Sequence, residues 1–480
     1  MLKTTVSCAL FLALLLSLAA TADAATPAVK YVVSSGGHGL VLFEDGTVAG
    51  WGNNYSGQLA DAGEPLPKKR MVLEPMPLTM PGKVRQLAAG EQHSLALLED
   101  GSVWAWGRGY EGQLGIGDGG TRMRLAVNDS PGSAQPQRVS GISDAIQVVT
   151  TNTAAFALRS DGSVLGWGSG NAGLLGPGYL PPRPMESPRT ASTPITIAGV
   201  SGITRIAVGS THVLALTADG RVLSWGNNSS GELGRKTSAK DDATPQFVEG
   251  LQGVIDIAAG TATSAAITRD GSVWVWGMNL YGHLATGETR QGDEPDGWTD
   301  KPRRIAGVAQ AVNVQIGSPG RHIVVLLKDG TLRAWGNSDW GQVGAGVASW
   351  SEPSVKQPKI NNVKAFWASG NNTYAVKNDG TFWLWGAEFG AGYGVKGELA
   401  KQHKVPVQFP LVVGQAQSAP GSYAANKESA GSAFSSPSAP APQAVPAPAA
   451  PATGSVKQGV DDTIDLLNKG LNVFRGIKGL

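Results

Sequence analysis

The chain has 480 residues, of which 41% are hydrophobic and 16% charged, with a formal net charge of +2. That balance gives no steering field toward nucleic acid or an anionic membrane. A single cysteine excludes a disulfide-stapled scaffold, and 66 glycines fit a body of strands and turns held by packing.

Residues 1–24 carry Lys3, an apolar run from Ala9 to Ala20 and then Ala22-Asp23-Ala24, the layout of a secretory signal with a small-x-small cleavage site. The run is shorter than the ~20 residues that span a bilayer. The expectation is a secreted or periplasmic protein. The only cysteine, Cys8, precedes that run, so the mature chain would have no thiol.

From Asp45 onward a single unit recurs. Residues 100–115 read DGSVWAWGRGYEGQLG, and close copies begin at Asp45, Asp161, Asp219, Asp270, Asp329 and Asp379. Trp51, Trp106, Trp167, Trp225, Trp276, Trp335 and Trp385 each follow their Asp by six residues, whereas successive Asp-Gly pairs lie 50 to 61 residues apart. Fixed spacing within copies and variable spacing between them describe one structural unit joined by loops of free length.

Within each unit Asp-Gly separates two short strand-like runs, a strong hairpin signal because the favoured turn needs positive φ. A third strand precedes the hairpin, as at Val84–Ala88, and a fourth is marked by recurrent Pro-led segments such as PQRVSG and PITIAG. Four short antiparallel strands per unit describe a propeller blade. A column of small residues (Val41, Ala96, Ala157, Ala215, Ala266, Val325, Ala375) fits the crowding of blades toward an axis, and the repeated Trp is large enough to fill the gap between neighbours. The expected domain is an all-β, seven-bladed propeller over residues 25–414. The first repeat starts at Val29 without a Pro-led strand before it, and a Pro-containing segment, Val405–Val413, follows the last. The ring is therefore expected to close by pairing that C-terminal strand with the first blade.

The pattern Gly-x-x-His-x-x-Ala-Leu-x-x-Asp-Gly-x-Val-x-x-Trp-Gly, ending in Gly-Gln-Leu-Gly and clearest at Gly90–Gly115 and Gly209–Gly234, resembles that of the regulator of chromosome condensation family. The resemblance spans about residues 29–413 and implies a seven-bladed propeller. It leaves function open, since members serve as GTPase exchange factors, light sensors, ligase modules and secreted inhibitors. A leader segment and a near-neutral charge argue against a chromatin-bound role.

No Gly-x-Ser-x-Gly elbow, His-Glu-x-x-His or phosphate loop occurs. His38, His93, His212 and His322 share one repeat position, seven before the Asp, while Ala154, Thr263 and Asn372 fill it elsewhere. A metal ring is one reading; local hydrogen bonding to a neighbouring strand is the one adopted, with no metal and no cofactor. The seven Asp of the Asp-Gly turns are read as turn formers. Loops after Gly-x-Leu-Gly carry Tyr179, Arg183, Trp298 and Trp350, residue types that anchor interfaces. They leave the blades at one corner and are the candidate binding residues. The alternative is that these aromatics tuck onto their own blades.

Residues 415–454 form a Pro/Ala/Ser-rich linker. In residues 455–480, Val456, Val460, Ile464, Leu467, Leu471 and Phe474 step by three or four, an amphipathic helix whose charges nearly cancel. A membrane contact through it is therefore disfavoured. The function expected is an exported, non-enzymatic, monomeric scaffold that binds a protein through loops on one face and does not bind nucleic acid. An enzyme at the loop face, or a GTPase exchange factor, is the alternative.

Overall fold

A computed structural model of the chain describes residues 27–35, 37–61, 71–117, 132–180, 189–289, 297–318, 321–387 and 402–409. The leader, Arg183, the linker and the C-terminal helix lie outside the described residues.

The described strands form seven four-stranded antiparallel sheets, each built from four consecutive strands. In the first blade these are Val29–Ser35, His38–Phe43, Val48–Asn53 and Met71–Leu78. Each inner strand lies against the inner strand of the next blade, and that of the seventh, Val363–Ser369, lies against Val29–Ser35. The array is a closed ring. Two single-turn 3-10 segments, Asn171–Gly173 and Pro177–Tyr179, interrupt the β structure of the third blade.

The Asp-Gly hairpins form as their sequence requires, with all seven glycines at φ between 77° and 85°. Each Asp carboxylate accepts a hydrogen bond from a neighbouring hydroxyl, and Asp100 accepts from both Ser102 Oγ at 2.6 Å and the Ser102 backbone N–H at 2.9 Å. Those bonds hold the seven carboxyls below the usual range, Asp270 at about 2. The glycine after each Trp also has positive φ, and a Cβ on Gly107 would fall 2.5 Å from the Gln92 carbonyl. Strand three can therefore press against strand two only through glycine.

The small column is fully buried, from Val41 to Ala375. Each Trp packs into the core of the preceding blade: Trp106 with Leu40, Leu42 and Leu59, Trp276 with Leu214, Leu216 and Val222, and Trp51 with Tyr374, Phe382 and Leu384 of the seventh blade.

One expectation is corrected. The strand Gln402–Gln408, which contains Pro406, pairs with Phe382–Ala387 and completes the seventh blade, not the first. Pro75, Pro136, Pro194, Pro245, Pro302 and Pro353 likewise sit in the outer strands that finish their own blades. An outer strand has one free edge, where the missing N–H of proline is tolerated. The ring instead closes through side chains: Trp51 enters the seventh core, Ser34 N–H donates to Ser369 Oγ at 2.7 Å, and Ser34 Oγ donates to the Ser369 carbonyl at 3.2 Å.

Candidate functional site

Strand order divides the molecule into two faces. The loops between strands one and two, and those between strands three and four, emerge on one side, the corner face. The Asp-Gly hairpins and the links from blade to blade emerge on the other, the hairpin face. A channel of about 630 Å³ runs between them, lined by the seven inner strands.

The repeated histidines are absorbed into the seams. His38 Nε2 contacts Ser94 Oγ at 3.0 Å, His93 Nε2 contacts Thr150 Oγ1 at 2.7 Å, His212 Nε2 contacts Ser264 Oγ at 2.8 Å and His322 Nε2 contacts Thr373 Oγ1 at 2.9 Å, each on the next blade. Ser94 Oγ donates onward to the Gln58 carbonyl at 2.9 Å. The hydroxyl has one proton to give, so His38 must donate through Nε2. The Gln58 carbonyl also accepts the Trp106 indole N–H at 2.8 Å, and the Glu232 carbonyl accepts Ser264 Oγ and Trp276 Nε1 in the same way. Burial pushes His38 down to about 4 and His93 and His212 to about 3, so these rings stay neutral. Among the described residues, no group of three or more His, Cys, Asp or Glu is placed to hold a metal ion.

A second set of seam contacts surrounds the channel and was not foreseen. Gln86 Nε2 donates to the Val148 carbonyl at 3.0 Å and its Oε1 accepts from Val148 N–H at 3.0 Å. Gln147 bridges to Ile206 in the same manner, at 2.8 and 2.9 Å. Arg205 pairs with Asp256 at 2.7 Å, and Asp256 accepts from Val314 N–H at 2.9 Å. Inner strands of adjacent blades belong to different sheets, so side chains supply the bonds that no ladder can. The available signal was a polar third residue in successive inner strands: Gln86, Gln147, Arg205, Asp256 and Asn313.

On the corner face the structure brings two candidate residues to neighbouring blades. Trp298 opens the outer strand of the fifth blade and is 39% exposed; Trp350 lies in the outer strand Ser349–Lys356 of the sixth and is 45% exposed. The Trp350 ring sits 4.9 Å from that of Tyr281, in the corner loop of the fifth blade. Arg321 Nη1 donates to Tyr281 Oη at 2.9 Å, and its guanidinium carbon lies 5.2 Å from the Tyr281 ring centroid. Tyr281 also meets His283 edge-on, and His283 Nε2 donates to the Arg321 carbonyl at 2.8 Å. The result is a braced aromatic–guanidinium cluster whose outermost ring remains in solvent. Tyr179, by contrast, is half-buried against the core shared by the third and fourth blades, apart from that cluster. Tyr281 and Arg321 escaped the sequence reading because the first is part of the repeat corner and the second lies in a short loop between strands one and two.

Profiles of known families match this chain. The RCC1-like domain matches residues 120–435, and the regulator of chromosome condensation (RCC1) repeat matches residues 29–58, 84–113 and 45–97. The Ultraviolet-B receptor UVR8 of Arabidopsis thaliana is 32% identical over 343 residues, covering 69% of this chain and 71% of UVR8. Guanine nucleotide exchange factor SRM1 of Saccharomyces cerevisiae is 29% identical over 371 residues, covering 68% and 74%. The E3 ubiquitin-protein ligase HERC2 of Homo sapiens is 30% identical over 357 residues, which are 71% of this chain but 7% of HERC2. Among solved structures, yeast RCC1 (Prp20) bound to Kap60 superposes with a TM-score of 0.60 at 24% identity, covering 75% of this chain and 82% of that one, a likeness of fold.

Proposed function

The chain belongs to the RCC1-like family of seven-bladed propellers, and on that premise we propose that it is an exported, non-enzymatic scaffold that binds a protein partner through its corner face. The observation that carries this reading is the Trp350–Tyr281–Arg321 cluster, with Trp298 on the adjacent outer strand. Tyr, Trp and Arg dominate binding energy at interfaces, and a rigid ring presents them without a large ordering cost. Export rests on the layout of residues 1–24 and is checked by fractionating cells that express the full chain.

The test of binding compares the tagged chain with the Trp298→Ala/Trp350→Ala variant. Both side chains are well exposed, so stability should change by no more than about 0.5 kcal/mol for each. A partner retained by the unchanged chain and lost by the variant, at equal Tm, supports the reading. Identical recovery, or an unfolded variant, contradicts it. Exchange-factor activity is the second reading, favoured by the similarity to SRM1 across 74% of that protein. Stimulated release of labelled GDP from a small GTPase would establish it in place of a passive scaffold.

A further inference from the structure

All seven inner strands begin alike. Their first residue pairs with strand two, the second is skipped, and pairing resumes at the third, so each strand starts with a β-bulge. A bulge re-aims the side chain it carries. The skipped residues, in blade order, are Lys30, Arg85, Ile146, Thr204, Ile255, Val312 and Lys364, and all seven are exposed. They stand where the inner strands meet the Asp-Gly end of strand two, around the mouth of the channel on the hairpin face. Arg85, Ile146 and Thr204 also line the channel itself.

Around the ring these positions sort by chemistry. Lys364, Lys30 and Arg85 occupy three consecutive blades, the seventh, first and second, and none of the three is in an ion pair among the described residues. Arg205, one residue deeper, is by contrast already paired with Asp256. Opposite the cations stand Ile146, Ile255 and Val312, at 36%, 44% and 45% exposure, with Thr204 among them. An opening with a cationic arc on one side and an aliphatic arc on the other is itself amphipathic.

We propose that this mouth seats an amphipathic protein segment whose carboxylates face blades seven, one and two and whose aliphatic side chains face blades three, five and six. A helix about 10–12 Å across with its side chains presents two such faces at once. The seven exposed hairpin Asp residues share this face and oppose a broad anionic bilayer, while a narrow segment can reach the cations directly. The site lies on the opposite face from Trp298 and Trp350, so either proposal can fail without the other.

The full chain is titrated, by fluorescence anisotropy, with a labelled synthetic helix of about eighteen residues that has Leu on one side and Glu on the other. Its Lys counterpart, and vesicles of phosphatidylglycerol and phosphatidylcholine, are run in parallel. The Glu helix should bind, and more weakly as salt is raised. The Lys30→Glu/Arg85→Glu/Lys364→Glu variant should weaken it by about tenfold or more and remove most of the salt dependence. The Ile146→Asn/Ile255→Asn/Val312→Asn variant should weaken it about fivefold or more while leaving the salt dependence. Trp298→Ala should leave it unchanged. If a triple variant loses its fold, Arg85→Glu and Ile255→Asn singly carry the same comparison. The proposal is overturned if the Lys helix binds as tightly, if both variants bind like the unchanged chain, if the vesicles capture the protein in place of the helix, or if no helix binding occurs up to about 1 mM.

Discussion

In the tryptophan slot at the seams between blades the seven copies agree, and around the hairpin-face mouth they do not. Trp106, Trp167, Trp225, Trp276, Trp335 and Trp385 are 0% exposed and Trp51 3%, all in one slot. The bulged slot holds two Lys, an Arg, two Ile, a Thr and a Val, all exposed. A side chain that fills a neighbour's core has one solution of shape, so every blade must repeat it. Trp106, Trp167, Trp225, Trp276 and Trp335 also donate their indole N–H to a carbonyl of the preceding blade. A side chain turned into water by a bulge is released from packing, and its identity is free to serve recognition.

The sharpest way to break this comparison is Trp276→Ala. It removes a buried indole and its bond to the Glu232 carbonyl and should cost about 3–5 kcal/mol, seen as a lower urea midpoint. Ile255→Asn at the rim should stay within about 0.5 kcal/mol. Equal costs would mean that seam and rim do not differ as described. Gln147→Ala should fall between them. It strips both partners from Ile206, and unpaired groups beside the channel cost about 1–3 kcal/mol less whatever channel water restores.

A further effect is conditional on pH. Glu232 holds a corner position that is Gln in the first, second and sixth blades, and burial raises its carboxyl from 4.5 to about 7. The folded state binds this proton more tightly than the unfolded chain, so the stabilisation is complete below pH 4.5 and is lost as pH rises through about 7. The buried histidines act oppositely: their folded values lie below 6.5, so stability falls as pH drops under 6.5. Glu232→Gln should therefore raise Tm at pH 8 by the equivalent of about 1–2 kcal/mol and change little at pH 5. An unchanged slope on the alkaline side would remove Glu232 from the account.

Blade number, hairpins and the seam role of Trp were legible because they repeat at fixed offsets, and seven copies of one offset admit one explanation. Strand phase was not. A Pro-led strand between two hairpins has the same spacing whether it ends one blade or starts the next, and it is the pairing that decides, as for Gln402–Gln408 with Phe382–Ala387. The candidate site was less legible: Trp298 and Trp350, expected in loops, lie in outer strands with their rings exposed, and Tyr179 packs against the core shared by the third and fourth blades. The bracing of Trp350 by Tyr281 and Arg321 joins residues that local sequence keeps apart. The bulges were invisible because a skipped residue leaves no mark on composition, and the Gln147 and Asp256 bridges because their partners are backbone groups one blade away.

The most direct test of closure without strand exchange is a Ser34→Cys/Ser369→Cys pair in a chain whose one native cysteine is changed by Cys8→Ser. The two positions exchange hydrogen bonds across the seam of the seventh and first blades. Mild oxidation should join them in monomeric protein and raise Tm, whereas thiols that remain free after oxidation, with Tm unchanged, would contradict a ring closed at that seam.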